Sequence, residues 1–159
     1  MNEKGLQKAI TLYVYRSENM PPEWVDLCAQ AQKAAQRAYA PYSGFRVGAA
    51  VLLEDGNIIT ANNQENAAYP SGLCAERTVL FYTHAQYPDK KIQALAIYSP
   101  DTTSLLTPCG ACRQVLVEYE NLQQTTIQTL LVTNKEIYVL PVAKDWLPFE
   151  FSENILKSK

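Results

Sequence analysis

Apolar positions recur at helical spacing over residues 22–39, where Trp24, Leu27, Cys28, Ala31, Ala35 and Ala38 share one stripe. Pro21 and Pro22 suit a helix start, and the turn-forming PYSG at 41–44 ends the pattern. The period then shortens. VGAAVLL (47–53) and NIITANN (57–63) flank EDG, which predicts a β-hairpin from its turn chemistry and β-branched content. LCAERTVLFYTHA (73–85) lacks Gly and Pro and predicts a helix; ALAIYS (94–99) predicts a buried strand. CGACRQVLVEYENL (109–122) predicts another helix, with Pro108 as its first residue and Thr107 as its cap. QTLLVT (128–133) and EIYVLPV (136–142) predict two further strands, and the β-prone segment 6–16 is suited to an added strand or an arm. Helices placed between strands imply an α/β fold, a three-layer α/β/α sandwich whose mixed sheet is covered on both faces. No repeat or linker-like tract interrupts residues 1–159, so a single domain is expected, with 1–20 as an N-terminal extension.

Charge and composition narrow the function classes. Hydrophobic residues make up 47% and charged residues 19% of the chain, and the formal net charge is -2. With a pI near 5.4 and no long basic run, nothing resembles a nucleic-acid-binding footprint. No apolar run approaches the roughly 20 residues of a membrane helix. The start MNEKGLQKAITLYVY has no long apolar core of a secretory signal, so a cytoplasmic location, with reduced thiols, is expected.

Against that background the four cysteines gain meaning. Cys109 and Cys112 form C-x-x-C in TPCGACRQV, at the start of a predicted helix. Two buried core thiols, a thiol–disulfide redox pair and a metal site all accommodate that motif on its own. Cys74 lies in LCAER, near another predicted helix start and two residues before Glu76. Cys-x-Glu followed by Pro-Cys-x-x-Cys is a three-thiolate form of the zinc-deaminase signature. It supplies three protein ligands and one open position, as catalytic zinc requires, and accounts for Glu76, which the rival readings do not. Cys28 lies on the apolar stripe of the first helix and reads as a buried structural thiol. His84, late in its helix, reads as a surface or helix-end residue.

Read together, APYSGFRVGAAV (40–51), NNQENAAYPSGLCAER (62–77) and PCGACRQV (108–115), with a weaker block WLPFEFS (146–152), resemble the small homotetrameric class of cytidine deaminases. The resemblance implies a five-stranded mixed sheet between helices and hydrolytic deamination of cytidine and deoxycytidine to the uridines. It implies one zinc per chain on Cys74, Cys109 and Cys112, with Glu76 as proton shuttle. By the same resemblance Phe45 packs on the pyrimidine, Asn63 and Glu65 bond the ribose 3′-hydroxyl, and the Ala75 N–H meets the pyrimidine O2. Tyr69 and Phe151 are the candidates to reach across to a neighbouring subunit, since the resemblance implies shared pockets. Three thiolates overbalance one Zn²⁺, so charge must be withdrawn. Arg77 is expected to donate hydrogen bonds to Cys74 and a second ligand sulfur. The rivals are deamination of another nucleoside-like substrate, and a redox or structural zinc module in which Glu76 is dispensable.

Overall fold

The computed structural model describes Gly5 and residues 7–157. Among them, six strands form one sheet: β1 (Tyr13–Tyr15), β2 (Gly48–Leu53), β3 (Ile58–Asn62), β4 (Ile92–Tyr98), β5 (Gln128–Val132) and β6 (Ile137–Leu140). Their order across the sheet is β1-β6-β5-β4-β2-β3. The helices are α1 (Pro22–Ala35), α2 (Ala75–Gln86), α3 (Gly110–Gln123) and the short α4 (Glu153–Lys157). β4 and β5 pair in parallel, and every other pairing is antiparallel. The parallel pair follows from the connection: α3 crosses between β4 and β5, whereas neighbours joined by tight turns must reverse. The β2–β3 turn does so at Gly56, whose φ of 84° is the left-handed conformation a glycine adopts without strain.

Strand periodicity divides the core in two. Along the wholly buried β2, Ala49, Val51 and Leu53 point to one face and Ala50 and Leu52 to the other. The first face packs against Val79 and Leu80 of α2 and Leu116 of α3. The second packs against Leu27, Cys28 and Ala31 of α1. This is the expected three-layer arrangement. α1 lies so close to β2 that a Cβ built on Gly48 would stand 2.1 Å from the Ala31 carbonyl oxygen and 2.4 Å from the Ala35 nitrogen. Glu120, a buried carboxylate on α3, accepts hydrogen bonds from the backbone N–H of Ile127 (2.8 Å), Ala143 (2.8 Å) and Lys144 (3.0 Å). It thereby fastens α3 to the entry of β5 and to the turn after β6.

Three expectations need correction. The sheet has six strands, not five, because Tyr13–Tyr15 pairs antiparallel with β6. Tyr15 also meets Trp24 of α1 edge-on, with centroids 5.8 Å apart. The first helix stops at Ala35 rather than 39, and Tyr39 instead bridges to Gln64 beside the β3 exit. α3 starts at Gly110, not at Pro108: Cys109 is its N-cap, and Thr107 Oγ1 accepts a hydrogen bond from Arg113 rather than capping the helix.

Candidate active site

α2 and α3 pack on the same sheet face, and their N-termini converge. Each begins after a cysteine in extended conformation, Cys74 at ψ 154° and Cys109 at ψ 166°, and neither N-cap makes a side-chain capping hydrogen bond. Cys112 sits in the first turn of α3. The Sγ atoms of Cys74 and Cys109 are 3.8 Å apart and those of Cys109 and Cys112 3.4 Å, with all three within 4.8 Å of one another. Tetrahedral zinc with bonds of about 2.3 Å to sulfur places its ligands roughly 3.8 Å apart, so this donor set fits that ion and leaves a fourth position open.

The electrostatics favour thiolate at Cys74. The Cys74 thiol is drawn down to about 5, chiefly by its hydrogen bond with Cys112 and then by Arg77, while partial burial opposes the shift. Cys112, its partner in that contact, is pushed up by the same hydrogen bond and by burial. Arg77 Nη2 donates to Cys74 Sγ at 3.8 Å from the same turn of α2. Helix N-termini add partial positive charge from two directions. Cys28 is remote in character: burial raises its thiol to about 12, as expected of a core cysteine. His84 lies in the last turn of α2, its ring 5.0 Å from that of Tyr119.

Glu76 is 5% exposed. Burial, reinforced by the negative charge of Cys74, raises its carboxyl to about 7. A carboxyl at that value exchanges a proton readily near neutral pH.

A cleft of about 480 Å³ opens beside Cys74 and Arg77 and is lined by Asn63, Glu65 and Tyr69, among others. Glu65 accepts hydrogen bonds from the backbone N–H of Tyr42 (2.8 Å) and Ser43 (3.2 Å) and from the Ser43 hydroxyl. Those bonds hold its carboxyl below the usual range, the Ser43 hydroxyl contributing most. The Asn63 amide braces the neighbouring loop, accepting from Val47 N–H (2.8 Å) and donating to the Phe45 carbonyl (2.9 Å). One lone pair and one N–H of that amide remain for another partner. Phe45 itself is half-buried and lies outside the cleft lining among the described residues. Ala75 is fully buried at the first helical position of α2, where a backbone N–H has no intrahelical acceptor. Tyr69 is 75% exposed at the cleft mouth. Phe151 is exposed and is tied back by Gln114 Nε2, which donates to its carbonyl at 2.8 Å.

Sequence reasoning missed several cleft residues, of which two bear directly on the site. Tyr42, whose ring is tilted against that of Tyr69 with centroids 6.0 Å apart, and Ser43, which holds Glu65, both belong to PYSG. That stretch was legible as a turn and as part of the block 40–51 that carries the resemblance; which of its side chains face the cleft depends on the tertiary fold.

The fold and this cysteine–glutamate constellation together define a zinc-dependent deaminase. A family model described as the cytidine and deoxycytidylate deaminase zinc-binding region matches residues 23–129. A cytidine deaminase of Sporosarcina psychrophila is 47% identical over 95 residues, covering 60% of this chain and 68% of that one. One from Mycobacterium tuberculosis is 44% identical over 97 residues, 61% of this chain and 71% of that one. The crystal structure of cytidine deaminase from Burkholderia pseudomallei superposes with a TM-score of 0.70 at 39% identity, covering 79% of this chain and 97% of the other. The chain belongs to the cytidine and deoxycytidylate deaminase family.

Proposed function

We propose that this protein deaminates cytidine and deoxycytidine hydrolytically, giving uridine or deoxyuridine and ammonia. The carrying observation is the three-cysteine cluster with Glu76, buried and poised near neutrality, two residues from Cys74. The family match supports the same reaction, and Cys74 beside the C-x-x-C pair argues against a two-cysteine redox module.

The bond changes are simple. A water oxygen adds to C4 of the pyrimidine, N3 gains a proton, and the C4 amine leaves as ammonia. Cys74, Cys109 and Cys112 would hold zinc, which would supply the Lewis acidity that makes water a competent nucleophile at neutral pH. Glu76 moves the protons, first to N3 and then to the departing amine, and its burial keeps bulk water from that transfer. The Ala75 N–H, at the first position of α2 where no intrahelical acceptor is available, meets the pyrimidine O2. Asn63 and Glu65, fixed by their loop hydrogen bonds, receive the ribose 3′-hydroxyl, and Phe45 packs on the base. Arg77 steadies the Cys74 thiolate. Recognition through the 3′-hydroxyl alone admits both sugars.

Tyr69 and Phe151 are exposed in one chain, which suits residues that complete a neighbour's pocket in a homotetramer. The protein then works as a single-domain cytoplasmic salvage enzyme; no helix among the described residues is long and apolar enough to cross a membrane. An absorbance assay for conversion of cytidine and deoxycytidine, with zinc measured in the same samples, tests the reading. Wild type should turn over both nucleosides, and Glu76→Gln should keep its zinc yet lose at least about a hundredfold in rate. A zinc-loaded wild type that leaves both nucleosides intact would overturn it.

A further inference from the structure

Arg113 follows Cys112 directly and has no part in the chemistry above. Its guanidinium is nevertheless engaged on every side. Nε donates to the Pro108 carbonyl at 2.8 Å, Nη2 to Thr107 Oγ1 at 3.3 Å, and Nη1 to the Trp146 carbonyl at 3.5 Å. The same group stacks on the Trp146 indole, 5.1 Å from its centroid. One side chain thus grips both the loop that delivers Cys109 and the segment that follows β6.

That loop needs a grip. Residues 99–109 have no regular structure, and Cys109 is the exposed member of the cysteine cluster. Cys112 is buried in the first turn of α3, and Cys74 is steadied by Arg77. The backbone before Cys109 is anchored to its own helix through Arg113, whose rigid fork fixes Thr107 and Pro108 together. Gln114, one residue on, fastens Phe151 of the same distal segment.

We infer that Arg113 is a positioning residue for Cys109, and that through Trp146 it makes zinc retention depend on the C-terminal segment. The inference rests on the zinc reading of the cysteine cluster. Its test is the rate at which zinc passes from the loaded protein to a chromogenic chelator, measured beside the thermal midpoint. Arg113→Ala should release zinc about tenfold faster or more, the size expected for loss of a group that orients a metal ligand. Arg113→Lys keeps the charge but loses the fork, and should fall between the two. Trp146→Leu, far from the sulfurs in sequence, should also speed release. Gly48→Ala, which strains the opposite sheet face, serves as a control of lowered stability and should hold zinc as wild type does. Release from folded Arg113→Ala within twofold of wild type would overturn the inference, as would release no faster than from the control at a matched thermal midpoint. If Arg113→Ala does not fold, Arg113→Lys decides by the same twofold criterion. A wild type that binds no zinc overturns the zinc reading and this inference with it, so the two failures are distinguishable.

Discussion

Glu120 and Asp101 show how far single carboxylates organise the loops of this protein. Glu120 satisfies three backbone N–H groups in the interior. Truncating it to Ala leaves those donors without their partner, each at about 1–3 kcal/mol if none relaxes toward water. Glu120→Ala should therefore lose about 3 kcal/mol or more of unfolding free energy, read as a lowered urea midpoint. Asp101 acts at the surface. It accepts two hydrogen bonds from the Arg46 side chain (2.7 and 3.0 Å) and one from the Arg46 backbone (2.8 Å). The side-chain bonds contribute most to holding its carboxyl down at about 2. A carboxylate depressed in the folded state stabilises above its unfolded pKa of about 3.9, and loses that contribution as pH falls through the folded value. Asp101→Asn should thus have a lower urea midpoint than wild type at pH 7, with the gap closing as pH is lowered from about 4 toward 2.

At the scale of elements, the contact between α1 and β2 leaves no room for a side chain at Gly48. Gly48→Ala would force a methyl against helix backbone, which cannot rotate aside, so α1 must shift outward. A loss of about 1–3 kcal/mol or more is expected, measurable as a fall in thermal midpoint. Legibility also divides at this scale. The hairpin was readable from its turn chemistry and β-branched content, β4 and the last two strands as short apolar runs suited to a buried sheet, and α2 as a stretch free of Gly and Pro; the cysteine–glutamate motif was readable because short covalent spacings survive folding. The start of α3 was misplaced by two residues. Cap propensity favours Thr107, whereas the N-cap is Cys109, whose sulfur belongs to the cysteine cluster. The grip of Arg113 on Trp146, and that of Ser43 on Glu65, left no periodic trace, since each joins residues far apart in sequence.

In the whole molecule, the N-terminal segment covers β6 and leaves only the three-residue β1 at that edge of the sheet. Without β1, the edge of β6 would present unpaired backbone groups, a template for pairing with another chain. The segment is also pinned by Lys8, 2.8 Å from Asp145, and by Tyr15 against Trp24. Deleting residues 1–16 should therefore promote self-association, seen by light scattering on dilution from denaturant, more than it lowers the thermal midpoint. Light scattering equal to that of the full chain would argue that β6 is protected in another way.

The two uncapped helix starts carry a last consequence. Ser, Thr, Asp or Asn at an N-cap ordinarily contributes about 1 kcal/mol, and this protein places cysteine at both positions. Zinc held by these cysteines would supply the first turns of α2 and α3 with the anchoring that a polar cap otherwise provides. Loading and local rigidity become one property. Stripping zinc with a chelator should therefore expose these two helix starts first, seen as faster proteolytic cleavage there than elsewhere in the chain.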